Sequence, residues 1–233
     1  MSFYKNIGGM VHPSSREELI EEISIRLDKG QTNLNDIDTS KITDMSFLFT
    51  RVKVKDLSHI DISLWDTSSV EDMSYMFNGC NVHQLDLSRW NTSNVESMAC
   101  MFLNCYDFTS DLSKWNTGKV KSMRDMFKNC FKFNSDLSKW NVGNVEFMQC
   151  MFLNCGKFDS DLSEWNVSNV VITHGMFKDC KNFNSDLSRW DVSNVIDMEY
   201  MFYGCDKFNC YTLSNWKPKS IQSRVEDVSA LSI

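Results

Sequence analysis

Apolar and polar positions recur along this chain with a period of 25 residues. Trp65, Trp90, Trp115, Trp140, Trp165 and Trp190 are spaced by 25, and Trp216 follows after 26. Each copy follows Asp-Leu-Ser-x-Trp-(Asn/Asp)-(Thr/Val)-(Ser/Gly)-x-Val-x-x-Met-x-x-Met-Phe-x-x-Cys-x-x-Phe, clearest from Asp136 to Phe158. A fixed period of this length marks a repeat architecture, because a unit so short buries its apolar side chains only against its neighbours. Six copies are close to complete. A degenerate copy precedes them, with Leu34, Ile37, Ile42, Met45, Leu48 and Phe49 at the apolar positions, and a partial copy follows with Leu213, Trp216 and Ile221. The chain thus contains eight coils.

Two shorter periods are visible inside a copy. Val145, Met148, Met151, Phe152 and Cys155 stand at i, i+3, i+6, i+7 and i+10, which predicts a helix of about three turns with these five on its inner face. Ser68 with Glu71 and Ser93 with Glu96 have capping-box spacing at its start, and Gly79, Asn104, Asn129, Asn154, Asp179 and Gly204 suit a left-handed turn at its end. The segment Ser135-Asp136-Leu137-Ser138 alternates polar and apolar, which predicts a short strand that pairs in parallel with its copies. The expected fold is therefore an α/β solenoid, a leucine-rich-repeat-like stack of about eight 25-residue strand-turn-helix coils with one parallel sheet and helical caps at both ends.

The caps follow from the flanking segments. Pro13-Ser14-Ser15 opens a helix whose Leu19, Ile20, Ile23 and Leu27 face the first coil, and Ser220 opens one with Ile221, Val225, Val228 and Leu231 on one side. The expected organisation is one continuous domain: a capping segment over 1–33, the repeats over 34–216 and a second capping helix over 217–233. A cap at each end leads to the expectation that 1–233 is a whole protein.

Composition narrows the possible partners. Lys plus Arg total 24 against 31 Asp plus Glu, a net charge of −7, so no basic field is available for nucleic acid or anionic lipid. No window has the roughly 18 apolar residues of a membrane span, and the segment from Met1 to Asn6 lacks a signal-peptide core. Nine cysteines, an odd number, fit reduced thiols better than a disulfide framework. The expected location is the cytoplasm, or the cell surface after unconventional export.

The repeat from Asn-Val-x-x-Met to Asp-Leu-Ser-x-Trp resembles the 25-residue repeats of BspA-like leucine-rich-repeat surface proteins, common in mycoplasmas, spirochaetes and gut or oral bacteria. The leader, with His12-Pro13, Glu17-Glu18-Leu19 and Leu34 to Met45, is similar to the segment preceding the repeats in many members. The resemblance runs from about residue 12 to about 216. It implies a bacterial repeat protein that binds proteins, with adhesins of host matrix among its better understood members and many others of unknown function; it implies no catalytic residues.

The remaining chemistry is weighed residue by residue. Cys80, Cys105, Cys130, Cys155, Cys180 and Cys205 form an inward column that suits either a soft metal or, more simply, one small buried hydrophobe per coil. Met98, Met101, Met123, Met126, Met148, Met151, Met198 and Met201 have core spacing. Asp61, Asp86, Asp111, Asp136, Asp161 and Asp186 form an acidic column that either binds Ca²⁺ or accepts local backbone N–H groups. His12, His59, His83 and His174 are scattered and pair with no nucleophile. No catalytic, cofactor or metal site is expected. The expectation is a non-enzymatic interaction scaffold, with an unconventionally exported adhesin or a structural, thiol-buffering protein as alternatives. Phe147, Val171, Ile172, Ile196 and Tyr200 are the candidate partner patch, on a chain that is monomeric or weakly self-associating through its C-terminal helix face. On a helical wheel Cys100 and Cys150 fall on the solvent side as exposed thiols.

Overall fold

The computed structural model describes residues 10–83 and 85–219. Helix α1 (Arg16–Asp28) covers the first coil. Ser15 starts it by accepting a hydrogen bond from the Glu18 N–H, Glu17 and Glu18 lie in its first turn, and Leu19 and Ile23 are fully buried in the core. Arg16 clamps the helix onto Asp44 at 2.7 Å and onto Ser46, and Arg26 joins Glu22 and Asp36, both at 2.6 Å. A five-residue helix, α2 (Leu48–Val52), and a 3₁₀ turn, Cys210–Leu213, complete the helical content among the described residues. The C-terminal cap expected over 217–233 lies, beyond residue 219, outside them.

The repeats are not strand-turn-helix coils, and the α/β solenoid of leucine-rich-repeat type with a parallel sheet is overturned. The segment from Val145 to Cys155, expected as a helix, is a succession of tight turns. Its amides take two routes in alternation. Met151, Leu153 and Cys155 donate three residues back, to Met148, Cys150 and Phe152, whereas Phe152 and Asn154 donate to the carbonyls of Met176 and Lys178 in the next coil. Helical i→i−4 bonds are replaced by bonds between coils, so the period of three that places Val, Met, Met, Phe and Cys inward comes from turns. The spacing of the coils explains why. The Phe column, Phe77, Phe102, Phe127, Phe152, Phe177 and Phe202, stacks at 5.4 to 5.7 Å between ring centroids. Helices pack at about 8–10 Å, so a helix in each coil does not fit that spacing.

The half expected as a strand is also built of turns. In Ser135–Ser138 the Asp136 carboxylate accepts from the Ser138 N–H at 2.9 Å, Trp140 N–H returns to the Leu137 carbonyl, and Leu137 N–H reaches Ser160 Oγ of the next coil. Most of the pairing lies on the opposite side, as single parallel bridges between Asp44, Asp72, Ser97, Ser122, Phe147, Ile172 and Asp197 in succession, and in the first coils further single bridges join Val11 to Ile37, Asn33 to Asp61 and Asp56 to Asn81. Because the flanking residues turn away at once, no bridge extends into a strand among the described residues.

Side chains hold the coils in register. Every tryptophan donates its indole N–H to a carbonyl of the preceding coil, from Trp65 to Leu34 at 3.0 Å through Trp140 to Leu112 at 3.0 Å to Trp216 on Leu187 at 3.0 Å. These rings are almost fully buried and stack on one another, as Trp115 does on Trp140 at 6.5 Å. The cysteine column does the same with sulfur: Cys105, Cys130, Cys155 and Cys180 direct their thiols at the carbonyls of Phe77, Phe102, Phe127 and Phe152 at 2.9 to 3.1 Å. In the acidic column each of Asp61, Asp86, Asp111, Asp136, Asp161 and Asp186 accepts the N–H two residues on. These hydrogen bonds, joined at Asp61 by a stronger one from the Asn35 side chain, hold the carboxyls below the ordinary range, and the Ser40 and His12 contacts hold Asp38 down at about 2.

Two outcomes follow. Trp140→Ala removes a buried ring and one of the two donors to the Leu112 carbonyl, which keeps the Trp115 N–H, and should cost about 3–5 kcal/mol, while Trp216→Ala at the end of the stack should cost less; urea unfolding with equal losses for the two would contradict the stacking. For the aspartates the folded pKa lies below the unfolded one, so the unfolded chain binds more protons as pH falls. Their stabilisation is complete above about pH 5 and drains away as pH falls below about 4. The urea midpoint should follow that course less steeply in an Asp136→Asn, Asp161→Asn variant; an unchanged slope would contradict the assignment.

Candidate interaction face

The face opposite the Asp-Leu-Ser turns is built from columns, one residue per coil, whose backbone is fixed by bonds between coils. Two outward positions lie between the buried Val and the first buried Met. The first carries Glu71, Glu96, Lys121, Glu146, Val171 and Ile196, linked by Glu96 N–H to the Glu71 carbonyl, and so on to Ile196 N–H on Val171 at 2.9 Å. The second is the bridged column, ending Phe147, Ile172, Asp197. A third column, two residues beyond that Met, contains Phe47, Tyr75, Cys100, Asp125, Cys150, Gly175 and Tyr200, all left-handed with φ between 53° and 58°. Only Gly175 has the conformation without steric cost. Inter-coil N–H···O bonds at Tyr75, Cys100, Asp125, Cys150 and Gly175 hold the others there.

These columns change character along the stack. In the early coils the first is charged, with Lys121 Nζ on Glu96 at 2.7 Å, a pair that lowers the Glu96 carboxyl and raises the Lys121 amine. A shallow polar groove follows, lined by Glu96, Lys121, Asn144 and Glu146 and ending at Val171. Beyond it the face becomes apolar. Phe147 bridges Ile172 and Val171 pairs with Ile196, which brings four of the five expected patch residues side by side. Phe147, Ile196 and Tyr200 are exposed, at 36%, 45% and 56%, and Val171 and Ile172 are half-buried.

The structure adds residues to this end that a helical wheel does not reveal. Tyr203, also exposed, meets Tyr200 edge-on at 6.3 Å; Lys178 Nζ lies 5.6 and 5.1 Å from the Tyr200 and Tyr203 ring centres; and the His174 ring meets Tyr200 edge-on at 5.7 Å. The available signal was the column itself. Tyr203 follows Leu103, Lys128, Leu153 and Lys178 at the position after each buried Phe, and it is the aromatic among them.

Cys100 requires a correction. It was expected among the exposed thiols, and it is 2% exposed. A helical wheel has no meaning in a chain of turns: Cys100 occupies the left-handed column between Tyr75 and Asp125, with its sulfur 4.0 Å from Asp125 Oδ2, and burial raises its thiol. Cys150, in the same column, is half-buried and also raised by burial. Gly175 above it leaves more room, since a Cβ there would lie 3.4 Å from the Cys150 sulfur. Cys210 is half-buried, whereas burial pushes Cys80 up to about 11 and Cys205 to about 12. A thiolate is the reacting species. A time course of iodoacetamide labelling read by peptide mass spectrometry should therefore show Cys150 and Cys210 first and Cys100 with the slow column. Cys100 modified as fast as Cys150 would contradict this packing.

Among the described residues no helix is long and apolar enough to cross a membrane. Neither a curated protein nor a solved structure matches the chain. A family match covers residues 19–140 and 121–230, two overlapping stretches that together take in most of the sequence. The chain belongs to that family, whose description is Mycoplasma protein of unknown function, DUF285.

Proposed function

We propose that this chain is a non-enzymatic scaffold that binds a protein partner through the apolar end of its columned face. One observation carries this reading: Phe147, Val171, Ile172, Ile196 and Tyr200 gather on three neighbouring coils at positions where the same backbone elsewhere bears Ser97, Ser122, Glu96, Lys121 and Asp125. The fold accepts polar residues in every one of these columns. Apolar side chains there serve something outside the stack, and exposed aromatic and aliphatic clusters of this kind are what protein partners bury. Nine unpaired thiols support work in a reducing compartment such as the cytoplasm. The thiol-buffering alternative is weakened by the raised pKa of the buried column, which withholds the reactive thiolate. A surface adhesin is the second reading, favoured by the likeness of the repeat to BspA-like surface proteins.

The test replaces patch residues by residues their own columns already contain. Phe147→Ser with Tyr200→Asp should leave the melting temperature unchanged and reduce capture of the partner from native cells by roughly thirtyfold or more, the loss of about 2 kcal/mol. Undiminished capture by the double variant would remove this face from consideration.

A further inference from the structure

His174, Asp197 and Glu199 come together at the same end of the stack, with one ligand atom from each lying within 4.8 Å of the other two. Their backbones are fixed independently of their side chains. The His174 carbonyl accepts from Cys150 N–H, the Glu199 carbonyl from Gly175 N–H, and Asp197 is bridged to Ile172 while its carbonyl takes the Thr173 N–H, the three bonds each 2.8 Å. We propose that these three side chains bind one divalent transition-metal ion of the zinc class.

The charge balance of the stack supports an ion here. Asp197 and Glu199 occupy the positions that Asp44 and Ser46 occupy in the first coil, and the local turn is the same: Ser46 N–H donates to Asp44 Oδ1 at 2.8 Å, and Glu199 N–H to Asp197 Oδ1 at 3.0 Å. In the first coil a cation completes the arrangement, with the Arg16 guanidinium on Asp44 Oδ2 and Ser46. In the last complete coil there are two carboxylates instead of one, and among the described residues neither forms an ion pair with a lysine or arginine. Lys178 is directed at the Tyr200 and Tyr203 rings. Among the described residues the basic group paired with them is the His174 imidazole, whose Nδ1 stands 3.4 Å from Asp197 Oδ1, wide of a good hydrogen bond.

The donor set selects the class of ion. One imidazole nitrogen with two carboxylate oxygens suits Zn²⁺ and its first-row neighbours, whereas Ca²⁺ and Mg²⁺ favour oxygen alone. Donors at about 2.1 Å from a tetrahedral ion lie about 3.4 Å apart, so the partly exposed side chains close the remaining distance by small torsions, with water in the open position.

The experiment uses the untagged full chain, stripped with chelator, and titrates it with Zn²⁺ alone by calorimetry. One ion per chain is expected, with the dissociation constant raised roughly tenfold or more by His174→Ala and again by Glu199→Gln. Cys150→Ser should leave it unchanged, and Co²⁺ substitution should give a spectrum without thiolate charge transfer. Absence of Zn²⁺ binding by the parent chain, equal binding by His174→Ala, or loss of binding with Cys150→Ser would each overturn the site. All three substitutions are at the surface or half-buried, and an unchanged melting temperature of the apo variants separates ligand loss from unfolding.

Discussion

The structure depends on where the amides of the Met-x-x-Met-Phe segment go. A buried N–H must be paired, and in this chain alternate amides pair within the coil and with the next coil. In one central coil Met123, Asp125, Phe127 and Asn129 all donate forward, to Phe147, Gln149, Met151 and Leu153, while Met126, Lys128 and Cys130 donate three residues back. This division rules out a helix, keeps the coils as close as direct backbone bonds require, and holds a non-glycine residue left-handed in most coils. Aromatic stacking, indole donors and thiol donors then fill the space that the backbone spacing defines. Each column is thus an independent surface variable on a fixed frame.

Much of this was legible in the sequence. The period, the coil boundaries, the buried Val, Met, Phe, Cys and Trp positions and the capped first helix follow from spacing, because burial repeats whatever the backbone does between buried residues. Local structure inside the coil was not legible. Inward side chains at intervals of three and four describe a helix and a run of three-residue turns equally well, and only the coil spacing, a tertiary quantity, separates them. Cys100 was misplaced for that reason, since a wheel assigns it an angle that the turns do not have. Asp136 was easier, because its bond to Ser138 is local.

The candidate site shows the same division. Phe147, Ile172 and Ile196 were identifiable as departures from polar columns, an argument that needs only the register. Tyr203, Lys178 and the convergence of His174 with Asp197 and Glu199 needed the turn geometry, which carries residues from adjacent columns onto one end of the stack. The apolar patch and the donor cluster are separate features of that end. The patch lies on outward positions of three coils, whereas the donor cluster reaches across two.

The pairing between coils is directly observable. Scalar coupling across hydrogen bonds, recorded by NMR on labelled protein, reports which carbonyl accepts each amide. The Phe127 amide is predicted to couple to the Met151 carbonyl, 24 residues ahead, and Asp125 to Gln149. Coupling of Phe127 to the Met123 carbonyl, four residues back as in a helix, would contradict the stack of turns and restore the helical coil in its place.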